Sequence, residues 1–216
     1  ATGSAAATAT VAAVAAGAVG GGGDPDGPEM SFHVSVYKNV NVSLAFQKKT
    51  LSFTPPAAAG PGPIVFTKVA FSHDSKHLVA VADEGNIFSM VIWDWAKQDG
   101  KVVAQTHLEQ KDGARINVTR VRFNPSDKGH LTTSGPYSLR QWTVDSSQQT
   151  IAPKGILPDN KAKENFVDHA WMVGRGAAEG DRRMVAVTDG PSAHDNLAKD
   201  GRGFFMMIFE MGESGL

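Results

Sequence analysis

Apolar residues along this chain come in short runs separated by Gly, Pro, Asp, Asn and Ser, and the runs do not follow a helical period. Val, Ile, Phe, Thr and Trp dominate them, the residue types that fit a pleated surface. The pattern predicts strands over residues 31–37, 64–71, 77–82, 88–95, 102–107, 117–123, 130–134, 137–144, 166–172, 184–188 and 203–210. No stretch reads as an amphipathic helix. Many short strands at this spacing imply an antiparallel all-β protein.

The strands also repeat as a set. Val69-Ala70-Phe71-Ser72-His73-Asp74-Ser75-Lys76-His77-Leu78 matches Val121-Arg122-Phe123-Asn124-Pro125-Ser126-Asp127-Lys128-Gly129-His130-Leu131. Each is an apolar strand ending in Phe, a polar turn, and a second apolar strand. A third copy starts at His169-Ala170-Trp171-Met172 and resumes at Met184-Val185-Ala186-Val187. The second strands run into turns at Ala82-Asp83-Glu84-Gly85, Thr133-Ser134-Gly135-Pro136 and Thr188-Asp189-Gly190-Pro191. There Asp and Ser can bond their own backbone and Gly supplies a positive φ. The third strands carry Trp93 with Asp94 and Trp95, then Trp142, then Phe209. Units of this length closing on Trp-Asp are the mark of WD-repeat β-propeller blades. Phe71, Phe123 and Trp171 end the first strands, and the third-strand aromatics are expected to fill the gaps between blades. The repeats are degenerate: the Gly-His dipeptide before the first strand is missing, and Asp189 is the one clear turn aspartate.

The blade pieces fall at residues 30–55, 64–110, 116–157 and 165–210, with an Ala- and Gly-rich segment over 1–29 that can be a linker or a strand followed by a Gly-rich loop. The expected fold is therefore a partial propeller of three to four blades in an incomplete ring. Its 216 residues, beginning Ala1-Thr2, read as an arc of a larger propeller.

The order of these pieces resembles the axonemal WD-repeat proteins known as cilia- and flagella-associated proteins. Ser35-Val36-Tyr37, the stretches 69–78, 93–101 and 119–127, Asp168-His169-Ala170-Trp171 and the run 204–213 carry the likeness, most specifically through the doubled Trp93 and Trp95, the Asp-His-Ala-Trp run and the order of all of them. It covers about residues 30–213. The Gly-rich loop at 20–28 and the insertion at 192–202 depart from it. The resemblance implies a non-enzymatic scaffold in the cytoplasm and cytoskeleton, on the axoneme of a cilium or flagellum. It further implies a parent protein with a coiled coil, and partners among inner dynein arms, regulatory complexes and the microtubule doublet.

Composition narrows the alternatives. Lys plus Arg number 21 against 22 Asp plus Glu, which argues against a dedicated nucleic-acid binder. No Cys is present, so disulfides, thiolate zinc sites and thiol nucleophiles are excluded. The apolar stretch over 5–19 is too short to span a membrane and lacks a basic region before it.

The chain has no phosphate-binding loop and no serine-hydrolase elbow, and no cofactor, catalytic residue, metal or small-molecule substrate is expected. His73 and His77 flank a turn rather than sharing a helix face. Asp24, Asp26 and Glu29 do not complete a calcium loop. Asp168-His169 with Asp189 lacks an indicated serine, so His169 reads as a hydrogen-bonded core or strand-edge residue. The sequons at Asn41 and Asn117 matter only in the secretory pathway, and a glycan at Asn117 would obstruct an inner strand. Lys111, Arg115, Arg120 and Arg122 place positive charge near one first strand, readable as a solvated face or as a contact for acidic tubulin tails. A WD-repeat adaptor outside cilia and a secreted enzyme or lectin propeller remain as other readings.

Overall fold

The computed structural model describes residues 9–13, 32–38, 49–53, 64–83, 86–97, 99–110, 115–155, 165–172, 183–189 and 206–210. Among these every regular element is a strand. The first sheet holds β1 (Ala9–Ala13), β2 (Phe32–Lys38) and β3 (Lys49–Phe53), in that order and antiparallel. Two four-stranded meanders follow. One is β4 (Lys68–Phe71), β5 (His77–Ala82), β6 (Ile87–Asp94) and β7 (Val102–Glu109). The other is β8 (Arg120–Phe123), β9 (His130–Gly135), β10 (Ser138–Asp145) and β11 (Thr150–Gly155). A last sheet holds β12 (Phe166–Trp171), β13 (Arg183–Thr188) and β14 (Met206–Glu210). This is a partial β-propeller: two four-stranded blades, with three strands of a further blade on either side.

Period-two alternation explains how each blade uses both faces. Leu78, Ala80 and Ala82 of β5, with Val91 and Trp93 of β6, join one buried cluster with Leu51, Phe53 and Phe66. Val79 and Val81, with Phe88, Met90 and Ile92, join another with Val121, Leu131, Trp142 and Ile151. The near-continuous apolar runs of β5 and β6 therefore feed two seams, one toward the first sheet and one toward the β8–β11 blade.

Both third-strand Trp residues are fully buried in these seams. Trp93 meets Phe53 and Phe66 edge-on at 6.3 and 5.9 Å. Trp142 stacks on Phe88 of the neighbouring blade, centroids 5.2 Å apart, and donates its indole N–H to Thr133 Oγ1 at 2.9 Å. Burying one such ring contributes roughly 2–3 kcal/mol.

Three differences from the sequence reading have physical causes. First, β3 and β11 lie outside the predicted strands. β11 contains Pro153, Lys154 and Gly155, is largely exposed, and sits where a blade ends. Proline is tolerated at such an edge, so composition disguised the strand. One parallel rung, Thr150 opposite Gln105, also joins β11 to β7, so the two blades touch at their outer edges as well.

Second, the turn after β9 starts later than expected. Ser134 and Gly135 are still strand residues, and the positive φ falls on exposed Tyr137 (φ 56°) rather than on Gly135. Gly135 answers a different need: a Cβ there would lie 2.1 Å from the Asn117 carbonyl oxygen. Third, β4 and β8 begin at Lys68 and Arg120, so the segments 64–67 and 115–119 lead into the inner strands rather than belonging to them. Asn117 is exposed there, and the steric objection to a glycan at that position falls away. The Gly-rich loop at 20–28, with Asp24, Asp26 and Glu29, the Asn41 sequon, Lys111, the insertion at 192–202, and Glu84, Gly85, Gly190 and Pro191 lie outside the described residues.

Candidate interaction surface

The first strands of three successive blades, β4, β8 and β12, border an open cleft of about 440 Å³. Phe71, Trp171 and Pro125 give it apolar walls, and Arg120, Arg122 and His73 give it polar ones. Arg120 and Arg122 alternate with buried Val121 and Phe123, so strand periodicity puts both guanidinium groups on one face of β8. Their side chains keep 57% and 42% of their exposure. Asp168 of β12 faces them, 3.0 Å from Arg122 Nη2 and 3.8 Å from Arg120 Nε. Burial pushes the Asp168 carboxyl up. Hydrogen bonds from Arg122 and the His169 amide, with the guanidinium charges, more than offset this and hold it below the ordinary carboxylate range.

Behind the cleft wall lies a buried polar network. His169 is 1% exposed. Its Nε2 is 2.8 Å from Thr132 Oγ1 and its Nδ1 is 2.8 Å from Ser134 Oγ, both on β9. Trp171 Nε1 donates to the same Thr132 oxygen at 3.0 Å. Thr132 has one hydrogen to give, and His169 Nε2 is a nearer acceptor than the Arg122 carbonyl at 3.4 Å. The network thus assigns the neutral ring's one N–H proton to Nδ1, donated to Ser134. Burial, followed by the Arg122 charge, holds the imidazole down at about 4, so it is neutral near pH 7.

Ser134 and His169 are hydroxyl and imidazole within reach of each other, the pairing the sequence did not indicate. They do not form a nucleophile and base. Ser134 is as buried as His169, and the Asp168 carboxylate accepts from the His169 backbone N–H at 2.8 Å rather than from the ring. Both ring nitrogens are spent on tying β12 to β9. The signal that could have revealed this is the alternation Thr132-Thr133-Ser134 within a strand: residues 132 and 134 share the face opposite Leu131 and Thr133.

The remaining positions sort by blade. Asp94 ends β6 and holds Lys97 at 3.1 Å. Burial raises its carboxyl, and the contacts to Lys97 bring it below the usual value. Trp95 is half-buried edge-on to Phe71 at 5.3 Å. Phe71, Phe123 and Trp171 are the last residues of β4, β8 and β12. Asp189 pairs with Asn165 just before β12, through Asn165 Nδ2 to its carboxylate and its own N–H to the Asn165 carbonyl. Phe209 stands opposite Met184 in the β13–β14 ladder.

Asp83 is the residue the sequence reading undervalued. It sits after β5 as Asp189 sits after β13, accepts from Thr67 Oγ1 at 2.5 Å and from the Val118 amide at 2.7 Å, and so joins two blades. Pro136 takes the corresponding place in the middle blade. His73 is exposed and His77 stands opposite Asp94. Among the described residues no group of three His, Asp or Glu converges as a metal site, and no helix is long and apolar enough to cross a membrane.

No family model matches the chain. It is similar to echinoderm microtubule-associated protein-like 4 of Xenopus laevis, 28% identical over 155 residues that cover 72% of this chain and 15% of that protein. The Mus musculus protein of the same name is 26% identical over 155 residues, 72% of this chain and 14% of that protein. The chain thus spans about 15% of the length of the relatives it matches. The repeat, the blade topology and these relatives together support placing the chain among WD-repeat propellers, without singling out the axonemal group.

Proposed function

We propose that this chain is part of a non-enzymatic interaction protein of the cytoskeleton, and that its inner-strand cleft meets an acidic protein segment on microtubules. The observation that carries this reading is the cleft itself. Arg120 and Arg122 project from one strand face between aromatic walls, with Asp168 neutralising only part of their charge. Guanidinium groups beside apolar surface suit carboxylate-bearing peptides, which they steer and pair in fork geometry. The relatives' name, microtubule-associated protein, agrees with such a partner. The polar groups nearest to catalytic chemistry, Ser134 and His169, are buried and committed to each other.

The finer assignment rests on the Trp93–Lys101 stretch and the Asp168-His169-Ala170-Trp171 run. They favour an axonemal scaffold resembling cilia- and flagella-associated protein 57, with a role in inner dynein arm assembly and ciliary motility. A tagged full-length protein is then expected along the axoneme, and its absence there would leave the adaptor outside cilia.

The cleft is tested by co-sedimentation with purified microtubules. The wild-type chain pellets with them, Arg120→Glu weakens binding several-fold with an unchanged unfolding curve, and microtubules stripped of their acidic tails bind less. Equal binding by wild type and Arg120→Glu would contradict the reading.

A further inference from the structure

The seam between the β8–β11 blade and the β12–β14 sheet differs from its neighbour in a way the interaction role does not use. On the β8–β11 side the face presents Thr132 and Ser134, on the other His169 and Trp171, and the four are joined by hydrogen bonds. The apolar cluster here is small: Leu139, Phe166, Met184 and Ala186. We propose that His169 is an acid-sensitive latch: its neutral ring ties β12 to β9, and its protonation releases the β12–β14 sheet while the two four-stranded blades stay together.

The geometry carries the argument. A charged imidazole would have to donate from both nitrogens. Thr132 would then accept from His169 and Trp171 together, and its own hydrogen would be left to the Arg122 carbonyl at 3.4 Å. The new charge would lie in a site 1% exposed, beside two cations.

The charged groups around it are few. From β8, Arg122 and Arg120 oppose protonation. From β12 itself, Asp168 favours it and already pairs with both arginines. From β9 the ring meets the hydroxyls of Thr132 and Ser134, and His130, farther along the same strand face, is bonded to Asp127. On β13 the residue opposite is Ala186, with Arg183 at the strand's exposed start. The neutral side of the balance prevails, and the ring is held at about 4 against an ordinary 6.5.

The sign follows from linkage. The folded value lies below the unfolded one, so the opened form binds more protons between these two values. The latch is fully engaged above pH 6.5 and weakens as pH falls toward 4. Opening of the seam should rise about 30-fold between pH 7.5 and 5.

Two measurements on the full chain test this. In hydrogen exchange corrected for intrinsic rates, protection of residues 166–171 and 183–188 should fall over that range while residues 88–93 and 130–135 hold theirs. His169→Gln, whatever its starting stability, should remove the pH dependence. Its retention in the variant, or equal loss at both seams, would overturn the proposal. Independently of any variant, ring-nitrogen NMR of the wild-type chain should find His169 neutral and protonated at Nδ1 at pH 6. A ring that is already charged there, with the sheet still packed, would also overturn it.

Discussion

The two seams on either side of the β8–β11 blade are built from opposite materials. Toward β4–β7 the contact is dry: Phe88 stacks on Trp142, and Val79, Val81, Met90, Ile92, Val121 and Leu131 close around them. Toward β12–β14 it is polar, with Thr132, Ser134, His169 and Trp171 in one network and Arg122 paired to Asp168 at its edge. The difference arises in a single strand. β9 reads His-Leu-Thr-Thr-Ser-Gly, and alternation sends Leu131 and Thr133 one way and Thr132 and Ser134 the other. A dry seam gains from area and is insensitive to pH. A polar seam is strong only while every partner is satisfied.

The largest effect is expected from the dry side. Trp142→Ala removes the stack on Phe88 and leaves a cavity, costing on the order of 3–5 kcal/mol in urea denaturation. Unchanged stability would remove Trp142 from the seam's core. Gly135→Ala comes next. Its methyl group would press on the Asn117 carbonyl at 2.1 Å, so the backbone must shift at a cost of about 2–3 kcal/mol. A neutral result in thermal melts would show that the loop before β8 yields freely.

Thr132→Val probes the polar side at nearly constant volume. It strips His169 Nε2 and Trp171 Nε1 of their shared partner, and about 1–3 kcal/mol should be lost. No loss would mean that packing rather than hydrogen bonding holds this seam. Lys128→Ala should do least. Lys128 Nζ lies 2.5 Å from Asp74 across the two four-stranded blades, but its side chain is 63% exposed, and about 0–1 kcal/mol is the range for such pairs. The hydrogen bond from Lys128, helped by Ser72, keeps the Asp74 carboxyl far below the ordinary carboxylate range. Little of this small contribution should therefore be titrated away between pH 7 and 5, a point checked by repeating the comparison of wild type and variant at both values.

Much of the fold was legible because burial on two faces leaves a plain trace. His77–Ala82 matches its predicted strand residue for residue, since a strand between two seams must be apolar throughout. The Trp93 and Trp142 spacing marked the blade repeat for the same reason. Of the two strands that escaped, β3 and β11, the second buries Ile151 alone and so leaves no two-faced apolar trace. Pro153 and Lys154 could then occupy a strand without cost to a core.

The candidate surface was half legible. Arg120 and Arg122 were visible as charge, but their meeting with Asp168 joins residues far apart in sequence across two blades. His169 was readable as a bonded core histidine. Its partners were hidden because Ser134-Gly135-Pro136 looks like a turn, and the strand runs on through Gly135. Asp83 was hidden for a related reason: its importance lies in Thr67 and Val118, neither of which announces a partner.

The claim that one seam is permanent and the other yielding is tested most directly by native-state hydrogen exchange at pH 7 in rising denaturant. The account predicts that amides of β12 and β13 open first, in a separate step, and that amides of β5, β6, β9 and β10 exchange only with global unfolding. A single step in which all of these strands exchange together would contradict it.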